Sequence, residues 1–266
     1  MTSFVKRALR RSLWTAAHPG LGRRAIASVI VQDATLALRP MRMATATSSR
    51  FASVETWPDS IRGFEDLAFL FTSSPLNMGI VSMTFAEVAY LFRLVRSLRS
   101  ATVAEIGRYQ GGSTLVIAAA LGSGGRLYSY DTHRRRTPDY TGADMDAALA
   151  DVLKRYGLAE GVNLLVEDST AAEPPGACDL VFVDGDHTYE GVRADYEHWR
   201  GYVRPGGHLL FHDAVLRGVL SSGEPDSARL VREIEHDDGG AFERREGADS
   251  LAHFVRTGAR APFDRV

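Results

Sequence analysis

Two stretches carry the residue types best suited to chemistry. Asp179-Leu-Val-Phe-Val-Asp184 is apolar between its acids and runs into Gly185-Asp186-His187-Thr188-Tyr189. His208-Leu-Leu-Phe-His212-Asp213 has the same form. Such apolar runs read as buried parallel strands, and ligands of open α/β sheets sit at the carboxyl ends of strands. Asp184, Asp186, His187, His212 and Asp213 then converge at one edge. Oxygen-rich sets of this kind suit Mg²⁺, and an imidazole among the ligands shifts the preference toward Mn²⁺ or a similar ion.

A third stretch, Val103-Ala-Glu105-Ile, runs into Gly107-Arg-Tyr109-Gln-Gly111-Gly-Ser113. Glycines at a strand-to-helix turn let the backbone approach a ligand, and the helix start offers free N–H groups. Asp131 closes the next strand, 20 residues after Gly111. Doubly wound folds place a carboxylate there to bind ribose hydroxyls. The glycine spacing separates ligand classes. Dinucleotide pyrophosphate wants G-x-G-x-x-G. The spacing here is G-x-x-x-G-G, and Glu105 adds an acid at the rim, which suits a cationic ligand.

The elements that must position these residues follow from pattern. Thr84 and Glu87 form a capping-box pair, and Phe85, Val88, Leu91, Phe92 and Val95 follow at helical spacing. Strands are expected at 103–106, 127–131, 163–168, 179–184, 208–213 and 251–256. Helices are expected at 113–121, 144–156, 188–202 and 226–236. This alternation argues for a parallel sheet covered on both faces.

The motif E-I-G-x-Y-x-G-x-S, from Glu105 to Ser113, resembles the first motif of class I S-adenosylmethionine-dependent methyltransferases, closest to the catechol O-methyltransferase-like branch. DLVFVDGDHTYEGV and RPGGHLLFHD resemble a bacterial relative of that branch, which includes O-methyltransferases of sugars, macrolides and other natural products. The similarity covers residues 76–256. It implies an α/β, Rossmann-like, doubly wound and mostly parallel seven-stranded sheet with helices on both faces.

The resemblance also implies roles. Glu105, Gly107, Tyr109 and Gly111 lie beneath the methionine part of the cofactor, and Ser113 holds its carboxylate. Asp131 binds the ribose. Asp168 and Ser169 flank the adenine, although Asp168 also suits a helix or turn cap. Leu76-Asn-Met-Gly79 resembles a segment folded over the cofactor. Asp184 serves the cofactor site and, with Asp213, a metal. His212 stands where an acid is usual, so three readings stay open: Mg²⁺ on the carboxylates, Mn²⁺ with His212 included, or a metal-free site in which His212 acts on substrate. His187 takes the position of a catalytic lysine and Asp186 that of a catalytic acid in the sugar-modifying relatives. His187 ranks first as base because imidazole titrates near neutrality. The competing role for His187 is to cap the helix that starts at Thr188.

Composition sets the outer bounds. The chain has 266 residues, 45% hydrophobic and 24% charged, enough for one large domain with an extension. The single cysteine, Cys178, excludes an internal disulfide and fits a reducing, cytoplasmic setting; it reads as packing rather than nucleophile. No apolar run reaches the ~20 residues of a transmembrane helix. The net charge of −2 hides a split: residues 1–50 carry +8 and the rest −10. We read 1–50 as a basic, helical arm and 51–266 as the S-adenosylmethionine-binding domain. The arm is expected to pack on the domain or on a second subunit of a homo-oligomer. A membrane-surface contact and a transit segment are the other readings. Nucleic acid is not an expected partner, because the main domain is acidic.

The expected activity is therefore methyl transfer to a hydroxyl of a small molecule. The acceptor pocket is expected from the N-terminal segment and residues 133–143 and 214–225. An NAD-dependent oxidoreductase, opposed by the glycine spacing, and a non-catalytic cofactor-binding module are the alternatives.

Overall fold

The structure, a computed structural model, describes residues 58–71, 81–134, 141–215, 226–237 and 239–258. The basic arm, its boundary near residue 50, the Leu76–Gly79 segment, and residues 135–140 and 216–225 of the expected acceptor loops lie outside these. The strands are β1 (Thr102–Ile106), β2 (Arg126–Tyr130), β3 (Val162–Leu165), β4 (Cys178–Val183), β5 (Val203–Phe211), β6 (Phe242–Arg245) and β7 (Ala252–Arg256). The helices are α1 (Phe85–Ser97), α2 (Gly112–Leu121), α3 (Gly142–Arg155), α4 (Tyr189–Trp199) and α5 (Asp226–Asp237). No helix among the described residues is long and apolar enough to cross a membrane.

The strands form one seven-stranded sheet in the order β3-β2-β1-β4-β5-β7-β6. Pairings from β3 through β5 are parallel, and β7 is antiparallel to both β5 and β6. The chain winds outward from β1 to β3, then returns to lay β4 on the other side of β1. That reversal makes the carboxyl ends of β1 and β4 the switch point of the sheet. Burial explains the apolar sequences: four of the five β1 residues and five of the six β4 residues are buried, whereas the edge strand β3 is half-buried throughout.

The chain divides into two compact units. One holds the sheet, α4 and α5. Its core gathers Trp199, Tyr196, Phe211 and Phe254 around Val181 and Ile106. Trp199 is fully buried, with its ring centroid 5.1 Å from that of Tyr130. Each such side chain contributes on the order of 2–3 kcal/mol. Cys178 lies in this core, and burial pushes its thiol up to about 12, so it is a packing residue. The other unit holds the start of α1, α2 and α3. The expected capping box is present: Thr84 N donates to Glu87 Oε2 (2.6 Å) and Glu87 N to Thr84 Oγ1 (3.2 Å). Phe64 packs edge-on against Phe85 at 5.1 Å.

Three strand expectations need correction. β5 begins at Val203, not 208, because a register shift opposite Cys178–Leu180 accommodates Pro205-Gly206-Gly207 inside the strand. β3 stops at Leu165, so Asp168 lies in the following loop. β6, Phe-Glu-Arg-Arg, escapes the sequence pattern, because only Phe242 of its four residues is apolar.

β5 and β7 also bring His208 and His253 together, Nδ1 to Nε2 at 2.9 Å. Burial, then His208, Arg244 and Arg245, hold His253 down to about 4. Its native pKa lies below the ordinary histidine value, so its contribution to stability is present above about pH 6.5 and is lost as pH falls toward 4. Melting temperatures measured between pH 7.5 and 4 are expected to fall more steeply for the native chain than for His253→Gln.

Candidate active site

Backbone hydrogen bonds continue one residue past the ends of β4 and β5. Asp184 N donates to Ile106 O (2.8 Å), and His212 N donates to Val183 O (3.0 Å). Asp184 and His212 are therefore set side by side at the switch point. Asp184 Oδ1 faces His212 Nδ1 at 2.8 Å and His187 Nε2 at 3.2 Å. His187 Nδ1 in turn lies 3.5 Å from Asp213 Oδ2. Asp213 has φ 49°, and its Oδ1 accepts from Ser250 Oγ at 3.2 Å. These four side chains form one cluster; of the five groups expected to converge, Asp186 is not among them.

The imidazoles of the cluster favour an ionised Asp184. Burial works against ionisation of Asp184, but His212 and His187 outweigh it and hold the carboxyl down to about 2. The hydrogen bond to Asp184 raises the pKa of His187 against the cost of its burial, and Asp213 adds to the rise. Asp184, His187 and His212 each offer one ligand atom, all within 4.8 Å of one another.

Asp186 is drawn elsewhere. It is exposed, and its Oδ1 accepts from Thr188 N at 3.0 Å. Its side chain folds over the first turn of α4, where a Cβ on Gly191 would meet Asp186 Cβ at 2.5 Å. Thr188 is the N-cap, its hydroxyl accepting from Gly191 N at 3.2 Å. Capping thus belongs to Thr188 and Asp186, and the competing role for His187 is filled by others.

The glycines answer to protein packing. A Cβ on Gly107 (φ +84°) would stand 2.4 Å from Asp184 O and 2.5 Å from Gly185 Cα. The expectation that this glycine admits a ligand is thus incomplete: it first admits the β4 turn. In the other unit, a Cβ on Gly111 (φ +78°) would collide with Leu149 Cδ2 at 2.4 Å. Ser113 is 7% exposed near the start of α2, and Tyr109 has φ 47°.

Glu105 departs from its expected place. It belongs to β1, is fully buried and accepts from Ser129 Oγ at 2.6 Å, so it is not at the rim. Asp131 lies just past β2, where its Oδ2 accepts from Arg108 N at 3.1 Å. Asp168 Oδ1 accepts from Thr170 N (3.1 Å) and Thr170 Oγ1 (2.7 Å), which is the turn-capping role weighed for it. Ser169 Oγ donates inward to Asp195 Oδ1 at 2.5 Å.

Sequence reasoning missed Arg108, a variable position of the glycine motif. It is 2% exposed, and its Nη1 donates to Ser129 O and Leu165 O, both at 2.8 Å. It joins the ends of β2 and β3; no periodicity marks it, and only its place beside Gly107 could have drawn attention. The remaining histidines among the described residues have structural partners: His133 with Asp146 (2.8 Å), His198 with Ala172 O (3.0 Å) and His236 with Arg232 O (2.7 Å).

Residues 104–214 match a family model described as a methyltransferase domain. This stretch is a class I methyltransferase domain. Enzymes of this class take their methyl group from S-adenosylmethionine. The chain is 24% identical over 170 residues to a catechol O-methyltransferase of Niastella koreensis, covering 63% of this chain and 74% of that protein. A catechol O-methyltransferase of Mycobacterium tuberculosis is 26% identical over 167 residues, covering 62% and 70%. Among solved structures, an O-methyltransferase from Bacillus cereus in complex with SAH shares the fold, with a TM-score of 0.50, 16% identity and coverage of 94% and 97%. The methyltransferase domain spans the glycine loop, Asp131, Asp168 and the whole Asp184–Asp213 cluster.

Within this domain, Gly107→Ala is expected to lose about 3 kcal/mol or more, because it adds backbone strain to a collision with backbone atoms. Urea unfolding at neutral pH measures it; a loss under about 1 kcal/mol would show that the β1–β4 junction yields easily.

Proposed function

We propose that the chain transfers the methyl group of S-adenosylmethionine to a hydroxyl of a small molecule, of the sugar, glycosylated or other secondary-metabolite kind. The observation that carries this reading is the cluster of Asp184, His187, His212 and Asp213, tied through the Asp184 backbone to the end of the glycine-loop strand. The catechol O-methyltransferase relatives support oxygen as the acceptor atom.

The residues fit such a cofactor chemically. It brings amino and hydroxyl donors and a positive sulfur, and the sheet edge brings acceptors. Gln110, 6% exposed, has a buried Oε1 that accepts no hydrogen bond among the described residues. The roles proposed are Gly107, Tyr109, Gly111 and Ser113 for the methionine part, Asp131 for the ribose, and Asp168 with Ser169 for the adenine. Asp184 stands at the reacting end. Glu105, inside the sheet, serves by holding Ser129 on β2.

The bound cofactor supplies an electrophilic methyl carbon. Transfer then needs an acceptor oxygen in line with the S–C bond and relieved of its proton. His187 takes that proton. The neutral ring donates through Nε2 to Asp184 and keeps its lone pair on Nδ1, on the side of Asp213. A third of its side chain is exposed, so an acceptor can reach it. The ionised Asp184 fixes the tautomer and stabilises the imidazolium that forms.

A second reading has its own support in the cluster geometry. A divalent ion would be held by Asp184, His187 and His212 and would acidify an acceptor hydroxyl. Two imidazoles with one carboxylate do not fit Mg²⁺, which prefers oxygen; they fit Mn²⁺ or a similar ion. An imidazole that ligates through one nitrogen carries its proton on the other, so the two roles of His187 exclude each other.

Isothermal titration with S-adenosylmethionine and S-adenosylhomocysteine tests the function directly, and binding of neither would sink it. His187→Ala is expected to lower kcat by about 100-fold or more while S-adenosylhomocysteine affinity stays within about twofold. Asp186→Ala is expected to stay within about threefold of native kcat, because Asp186 serves the helix start. Activity that survives EDTA supports His187 as base. Loss with EDTA, restored better by Mn²⁺ than by Mg²⁺, supports the ion reading instead.

A further inference from the structure

Asp195, in the middle of α4, is a carboxyl that the proposed chemistry does not use. It is 3% exposed. Ser169 Oγ donates to its Oδ1 at 2.5 Å, and Trp199 Nε1, one turn further along α4, donates to Ser169 O at 3.1 Å. The helix thus grips Ser169 by both hydroxyl and carbonyl. The other oxygen of Asp195 lies under the β4 turn, 3.5 Å from where a Cβ on Gly185 would stand. A buried carboxyl with one hydrogen bond costs stability that an apolar side chain would not. What it supplies is a fixed relation between two loops, one after β3 and one after β4.

We propose that Asp195 is a positioning residue of the cofactor site, holding Ser169 in register with the Gly185 turn so that the adenine-side loop is set before the cofactor arrives. The inference rests on the methyltransferase reading, in which Asp168 and Ser169 border the adenine. Asp195 touches neither cofactor nor acceptor and acts through Ser169. Burial pushes its carboxyl up to about 6; the Ser169 hydrogen bond opposes the rise, the neighbouring Asp168 and Asp186 add to it, and His198 opposes it. An asparagine keeps the shape and an amide oxygen that accepts from Ser169, so it preserves the geometry without the charge.

The test compares the native chain with Asp195→Ala, Asp195→Asn and Ser169→Ala by S-adenosylhomocysteine titration and methyl-transfer kinetics. Asp195→Ala and Ser169→Ala are expected to weaken S-adenosylhomocysteine binding about 5- to 20-fold and to raise KM for S-adenosylmethionine similarly. In Asp195→Ala, kcat at saturation should stay within about threefold. Asp195→Asn is expected to recover affinity to within about twofold of native. Native affinity in folded Asp195→Ala, or in Ser169→Ala should Asp195→Ala not fold, would overturn the proposal. So would an Asp195→Asn variant no better than Asp195→Ala, or equal losses in kcat and KM. Those outcomes leave native binding intact, whereas failure of the native chain to bind S-adenosylhomocysteine would remove the methyltransferase reading as well.

Discussion

At the switch point, the carboxyl ends of β1 and β4 approach until there is no room for a methyl group between them. Gly107 meets the Asp184 carbonyl and the Gly185 backbone, while Asp184 N is bonded to Ile106 O. Everything chemical in this part of the chain hangs from that junction. The Asp184 carboxylate emerges from one side of it, and the bond from His212 N to Val183 O extends the same ladder to β5. On the far side, Arg108 leaves the junction to bind carbonyls of β2 and β3. Five strand ends are thus referenced to one another, those of β1, β4 and β5 by backbone groups and those of β2 and β3 through the buried Arg108 guanidinium.

The cluster on that frame sets the imidazoles of His187 and His212 around the Asp184 carboxylate. Alone, a carboxylate as enclosed as Asp184 would be driven toward its neutral form. The histidines reverse that, so the charge distribution is built in before any ligand is present. Glu105, deeper in the sheet, is handled differently: it is enclosed entirely and bonded to Ser129 Oγ. The acidic character of the chain beyond residue 50 therefore has separate physical meanings, one structural and one exposed to ligands.

The sequence was most legible where one strong constraint acts on consecutive residues. Strands buried on both faces are dominated by apolar residues, and so β1 and β4 were placed to within a residue. The Thr84–Glu87 cap is a local reciprocal pair and was equally plain. Legibility failed where the constraint lies between distant segments. A register shift lets β5 absorb Pro205-Gly206-Gly207, and nothing in that tripeptide announces a strand. β6 is an edge strand with one buried residue, leaving no period to detect. Arg108 and Asp195 matter through carbonyl and hydroxyl partners 21 to 57 residues away, which local spacing does not reveal. Asp186 and His187 are neighbours of similar promise in the sequence; only the turn into α4 sends one to the helix and the other to the cluster.

Cys178, the first residue of β4, is fully enclosed. It is the chain's one cysteine, and a thiol pushed up to about 12 supplies almost no thiolate at neutral pH. The native chain is therefore nearly silent toward alkylating and disulfide-forming reagents while it stays folded. A cysteine introduced at any exposed position would be the sole reactive thiol, so a spin label or fluorophore could be attached at one chosen site without first removing a native residue.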